Sequence, residues 1–230
     1  MSTFLYGANV QANGIRQHYL RYGGKGPALI LIPGITSPAI TWGFVAERLG
    51  TRFDTYVLDV RGRGLSSTGP QLDYSADTCA EDIGAFADAL GLDSYDLVGH
   101  SMGARFAVHS AAKHPQGVNR VVLIDPPVSG PGRREYPSKL PWYVDSIRQS
   151  RVGMDADAMR AFCATWTVEQ LQLRAEWLHT CYEPAIVRAF NDFHTVDFHQ
   201  HLPKLKAPAL LMVAGRGGVI LDEDIAEIQD

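Results

Sequence analysis

The sequence predicts an α/β fold: a doubly wound, mostly parallel sheet with an N-terminal hairpin and an inserted helical segment. Short, continuous apolar runs at residues 28–32, 55–58, 95–98, 120–124 and 209–214 suit strands covered on both faces. Helix-like stretches at 42–49, 76–90 and 104–109 separate them, and strands alternating with helices imply right-handed crossovers and parallel pairing. Ligands bind such sheets at the carboxyl ends of the strands.

Residues 4–10 and 15–22 read as the two strands of the hairpin, with Asn13-Gly14 tolerating the positive φ of its turn. The chain then passes through Gly23-Gly24-Lys25-Gly26-Pro27 into the first fully apolar run, and the alternation continues to Asp125-Pro126-Pro127. From 128 to 202 the rhythm changes to amphipathic helical stretches with no apolar strand. Thr167-Val168-Glu169-Gln170 reads as a capping box opening one of these, which carries Leu171, Leu173, Trp177 and Leu178. The expected organisation is a core of residues 1–127 and 203–230 with a helical lid at 128–202. A last strand at 209–214 leads through Gly215-Arg216-Gly217-Gly218 to a helix from Asp222.

A chain of 230 residues with 46% hydrophobic content buries a substantial core in one domain. A net charge of −4 and a pI near 6.0 argue against a nucleic-acid surface, which needs clustered Lys and Arg, so the expected partner is a small molecule. Cys79, Cys163 and Cys181 lie far apart in no metal or disulfide spacing and read as packing residues in a reducing compartment. The first ten residues lack the cationic and apolar segments of a leader, and no apolar run approaches the roughly 18 residues needed to cross a bilayer. A cytoplasmic protein without membrane contact is expected.

Gly99-His100-Ser101-Met102-Gly103 has the pattern G-x-S-x-G, directly after the 95–98 strand and directly before the 104–109 helix. A serine on so sharp a turn needs small neighbours, so Ser101 is the candidate nucleophile. Acyl transfer also needs an oxyanion hole. Its expected donors are the N–H of Met102, next to the serine, and that of Ile35 in the loop Pro33-Gly34-Ile35-Thr36-Ser37. Thr36 and Ser37 are candidate hydroxyl donors, weighed against loop residues that bond their own backbone.

A further stretch, Asp59-Val60-Arg61-Gly62-Arg63-Gly64-Leu65-Ser66, completes a recognisable set. With Pro33-Gly34, Gly-His-Ser-Met-Gly and the lid insertion in this order, the sequence resembles the α/β-hydrolase superfamily, in which the 59–66 stretch braces loops. Residues 3–10, 33–38, 131–134 and 177–184 narrow the resemblance to a deformylating branch that serves nicotinate degradation. The resemblance implies a hydrolase acting on a linear, anionic N-formyl amide through a formyl-serine intermediate, with no metal or organic cofactor. An esterase, C–C hydrolase or haloperoxidase of the same fold is the alternative, and a binding protein or inactive fragment is the alternative of another class. Arg105, Arg133, Arg134, Lys139, Trp142 and Tyr143 are weighed as carboxylate-orienting groups against simpler surface or packing roles.

Many superfamily members place the triad acid after the strand corresponding to 209–214, where this chain offers no carboxylate. Asp125 is the better candidate, because strand ends converge on the site and the resemblance assigns it that role. The alternatives are a plain Asp-Pro turn at Asp125, and Asp222 or Asp224, which read as helix-opening residues. None of the eight histidines occupies the expected position after a final strand. His100 adjoins Ser101 too closely to act as an oriented base. His18 belongs to the hairpin, His109 and His114 to the helix after Ser101, and His179, His194, His199 and His201 to the lid or its return. The expectation is a histidine beyond residue 230, with the last strand and helix missing and activity impaired.

Overall fold

The computed structural model describes residues 1–215 and 218–229; the Arg216 and Gly217 portion of the glycine-rich loop, and Asp230, lie outside the described residues. Seven strands form one sheet in the order β1-β2-β4-β3-β5-β6-β7. They are β1 Phe4–Ala12, β2 Ile15–Tyr22, β3 Ala28–Ile32, β4 Asp54–Leu58, β5 Tyr95–His100, β6 Val118–Ile124 and β7 Ala209–Met212. The β1–β2 hairpin turns at Asn13 and Gly14, both at positive φ, and pairs antiparallel with β4. From β4 to β7 every pairing is parallel.

Helices cover both faces, as the unbroken apolar runs require. On one side Ile83 and Phe86 of α2 (Ala76–Ala89) and Phe106 of α3 (Met102–Lys113) pack on Ile30, Ile32, Leu58 and Leu97. On the other, Ala46 of α1 (Gly43–Leu49) and Ala39 close over Leu29, Leu31, Val57 and Val98. Residues 128–202 hold no strand and four helices: α4 Leu140–Arg151, α5 Ala156–Arg160, α6 Val168–Trp177 and α7 Glu183–Thr195. Thr167 and Gln170 form the reciprocal capping box at the start of α6. Arg148 on α4 reaches Glu183 at the start of α7, 2.6 Å away. Asp224, in α8 (Asp222–Gln229), accepts from the Leu221 N–H at 2.8 Å and pairs with Arg134. Among the described residues no helix is long and apolar enough to cross a membrane.

Several element ends differ from expectation by a few residues, including those beside Ser101 and Asp125. The strand expected through residue 214 stops at Met212, because the Ala214 N–H leaves the ladder and donates to Asp125 Oδ1 at 3.2 Å. The helix expected over 104–109 runs from Met102 to Lys113, its first turn closed by the Ser101 carbonyl, which accepts from the Ala104 N–H at 3.0 Å. The parallel register aligns the carboxyl ends of the central strands. Ile32 of β3 stands opposite Gly99 of β5, and His100 opposite Ile124 of β6, so these three strands end side by side.

Candidate active site

The chain leaves β5 at His100 and enters α3 at Met102, so one residue makes the whole turn. Ser101 takes φ 52° and ψ −118°, a region that costs a non-glycine residue about 1–3 kcal/mol and persists only when its surroundings enforce it. They do so through contact. A Cβ on Gly99 would lie 2.4 Å from the Gly103 carbonyl oxygen, and one on Gly103 would lie 2.1 Å from the Ile32 carbonyl oxygen. Helix and strand therefore approach at a distance only glycines permit. The Ser101 N–H is tied to the Ile124 carbonyl at 2.8 Å, which joins the turn to β6.

At the end of β6, Asp125 also has positive φ, 49°, and its N–H donates to the Met212 carbonyl at 2.8 Å. Ser101 and Asp125 line one cavity of about 200 Å³, together with the 34–37 loop, His100, Tyr136, Trp142, Tyr143, Cys163, Trp166, Arg174 and Val219. Burial raises the Asp125 carboxyl above its ordinary value, and the single backbone donor from Ala214 opposes this. Tyr136 and Tyr143 pair through their hydroxyls at 3.1 Å. Burial pushes the Tyr136 phenol far up, with Tyr143 adding to the shift and the Ser101 hydroxyl opposing it, so Tyr136 stays protonated.

The 33–37 loop is held from beneath. Fully buried Arg63 donates Nε to the Ile35 carbonyl at 3.0 Å and reaches Met102 Sδ at 3.3 Å, linking the two expected donor residues. Met102 is buried, and its N–H is among the helix-starting donors that have no intrahelical acceptor. The Ser37 N–H closes the loop on the Gly34 carbonyl at 3.2 Å. Thr36 Oγ1 accepts from Arg174 Nη2 at 2.8 Å, so it is engaged by another side chain and not by its own backbone.

The histidines disperse. His18 bonds Asp59 at 2.7 Å, His114 bonds Glu81 at 2.6 Å, and His109 stacks on His201 with centroids 3.9 Å apart. His179 is exposed, His194 packs on Phe190, and His199 sits 3.7 Å from Asp197. Only His100 lines the cavity. Its ring packs on Trp42 at 5.0 Å and its buried Nδ1 has no partner. Burial lowers its pKa to about 4. The folded state thus binds fewer protons than the unfolded chain between about pH 6.5 and pH 4, so His100 lowers stability as pH falls through that window, by about 3 kcal/mol in full. The His100 ring is expected to stay neutral from pH 8 to pH 5 in an NMR titration; a midpoint near its ordinary value would contradict its burial.

Several side chains differ from their sequence reading. Cys163, read as packing, lines the cavity, and so do Trp142 and Tyr143. Arg133 pairs with Glu227, Arg134 with Asp224, and Lys139 with Glu135, while Arg105 is buried among the carbonyls of Pro127, Ser129, Asp192 and Val196. None of these four cations faces Ser101. Arg174, which sequence reasoning missed, lines the cavity that holds Ser101. Among the described residues no group of three or more His, Cys, Asp or Glu is arranged to hold a metal ion.

A family model described as "alpha/beta hydrolase fold" matches residues 27–228. The chain is 77% identical over 230 residues to N-formylmaleamate deformylase of Pseudomonas putida KT2440, covering all of this chain and 86% of the relative. It is 42% identical over 106 residues to 2-(acetamidomethylene)succinate hydrolase of Mesorhizobium japonicum, covering 46% of this chain and 38% of that one. The crystal structure of the N-formylmaleamic acid deformylase of Pseudomonas putida S16 superposes with a TM-score of 0.94 at 55% identity, covering 97% of this chain and 87% of that chain.

Proposed function

Because the chain belongs to the α/β-hydrolase family, we propose that it is a serine hydrolase that cleaves N-formylmaleamate to maleamate and formate. The observation that carries the substrate is the 77% identity to the Pseudomonas putida deformylase across the whole chain. Ser101 Oγ attacks the formyl carbon, which is small and electrophilic because the nitrogen lone pair is shared with a second acyl group. The oxyanion that forms accepts hydrogen bonds from the N–H groups of Ile35 and Met102, and the N-terminal end of α3 adds its dipole. Collapse expels the maleamate nitrogen, which gains a proton, and leaves a formyl ester on Ser101. Water attacks that ester, formate departs, and the serine hydroxyl is restored.

In serine hydrolases an imidazole takes the serine proton and returns it to the leaving nitrogen, and Asp125 is the carboxylate that would orient one at this site. None of the eight histidines of this chain stands in that relation to Ser101: seven lie outside the cavity, and His100 is held on the neighbouring residue against Trp42. Residues 128–202 close over the strand ends as the lid, and Trp142, Tyr143 and Trp166 give the cavity flat apolar walls that suit a planar conjugated acyl group.

One preparation assayed at high protein concentration tests this. Formate release from N-formylmaleamate is expected to exceed cleavage of p-nitrophenyl acetate and to vanish in Ser101→Ala. Ester cleavage without formate release would move the chain to the esterase alternative, and formate release that survives Ser101→Ala would remove the nucleophile.

A further inference from the structure

On α6 the buried face is formed by Leu171, Arg174 and Ala175, at helical spacing, so a guanidinium occupies a position where an aliphatic group is expected. Arg174 is 3% exposed. Nη1 donates to the Thr36 carbonyl at 3.0 Å, Nη2 to Thr36 Oγ1 at 2.8 Å, and the guanidinium lies 5.6 Å from the centre of the Trp166 ring. Its Nε is buried with no partner. Among the described residues no carboxylate pairs with it, in contrast to Arg61, which is equally buried and forks onto Asp82 at 2.6 and 2.5 Å. Burying a cation without a counter-charge is costly, and a protein that retains one gains where an anion completes it.

Arg63 and Arg105 are also buried on carbonyls, but neither lines the cavity of Ser101. Arg174 does, and it is the one arginine or lysine among the described lining residues. Thr36 Oγ1, already accepting from Nη2, keeps its own proton to donate. Arg174 and Thr36 therefore offer an anion a planar charged fork and a hydroxyl in one place. Thr36 directly follows Ile35, so the loop that carries an oxyanion donor also fixes this cationic corner. That fixed spacing selects substrates whose carboxylate lies a short way from the acyl group under attack.

We infer that Arg174, with the Thr36 hydroxyl, is the subsite that receives the substrate carboxylate in the Ser101 cavity; the inference rests on the deformylase reading. Maleamate carries that carboxylate, and maleamide replaces it with a second amide, so the two probes differ only in the charge. In calorimetric titration the unaltered chain is expected to bind maleamate about 100-fold more tightly than maleamide, from the worth of a buried charge pair. Arg174→Met is expected to abolish that preference, so that the two probes bind alike. Arg174→Lys, which keeps the charge and loses the fork, is expected to recover part of it and guards against a Met variant that fails to fold. Equal affinities for the two probes in the unaltered chain, or an anion preference that persists in Arg174→Met, would overturn the subsite. Formate release from N-formylmaleamate separates the two failures: release without anion preference rejects the subsite alone, whereas no release and no binding rejects the deformylase reading with it.

Discussion

Formate release by the 230-residue chain is expected to run about 10⁶-fold below that of the 77% identical Pseudomonas putida deformylase assayed beside it, and added imidazole is expected to recover part of the difference. A neutral serine hydroxyl attacks slowly unless its proton has somewhere to go, and the groups around Ser101 do not offer that. Tyr136 is held protonated by its burial, and Asp125 is engaged by the Ala214 N–H. The His100 ring is pinned beside Trp42 and the Gly34 backbone, where a Cβ on Gly34 would lie 3.0 Å from its Nδ1. What remains is the proposed oxyanion hole and substrate binding, which in other serine hydrolases still give about 10³–10⁴-fold over water. Dissolved imidazole offers a proton acceptor that Asp125 would orient. Rescue should saturate with the neutral form of imidazole and be absent in Ser101→Ala and reduced in Asp125→Asn. An unassisted rate equal to that of the relative would show that one of the eight histidines reaches Ser101 after all.

The parts of this site that are legible in the sequence are the local ones. Ser101 follows from Gly99 and Gly103 at a strand-to-helix junction, where the close approach of Gly103 to Ile32 leaves no room for another residue. Asp125 follows from the end of an apolar run, because parallel strands bring their carboxyl ends to one edge. The resemblance to the α/β-hydrolase superfamily, carried by the same local motifs, is borne out by the family match. Arg174 is not legible in this way. On a stretch patterned by Leu171, Leu173, Trp177 and Leu178, an arginine reads as part of a solvated face. Whether it faces water or the cavity depends on how α6 is rotated over a loop 138 residues upstream, which only tertiary packing decides. The one available signal is its spacing, three residues after Leu171 and one before Ala175, which shares the buried face. Arg63 is hidden for a similar reason: its partner, the Ile35 carbonyl, lies in a loop on another strand.

Asp59→Ala is expected to cost about 3–5 kcal/mol, the largest stability loss among single substitutions at the loops beneath the site. Its carboxylate is 2% exposed and accepts three bonds: from the Ala39 N–H at 2.6 Å, the Leu65 N–H at 3.0 Å and His18 Nδ1 at 2.7 Å. Removing it strands three donors in the interior, and each stranded donor costs about 1–3 kcal/mol, less where water enters the space left behind. At about 2–4 °C per kcal/mol for a chain of this size, the melting temperature should fall by about 10 °C or more. Asp59→Asn keeps the shape and one good acceptor, so roughly half that loss is expected from it. The loss should not stop at stability. Ala39 opens the short 3₁₀ turn Ala39–Trp42 directly after Thr36, Ser37 and Pro38, so its bond to Asp59 anchors the far end of the 33–38 loop as Arg63 anchors the near end. Released there, the loop loses the geometry that sets both the Ile35 donor and the Thr36 contact to Arg174. Asp59→Ala should therefore bind maleamate more weakly even at temperatures where it remains folded. Thermal melting followed by circular dichroism, with maleamate titration well below the transition, measures both effects. A variant that melts within about 2 °C of the unaltered chain would show that water replaces the carboxylate at little cost. One that melts early yet binds maleamate normally would confine Asp59 to the scaffold and leave the loop held by Arg63 and Arg174 alone.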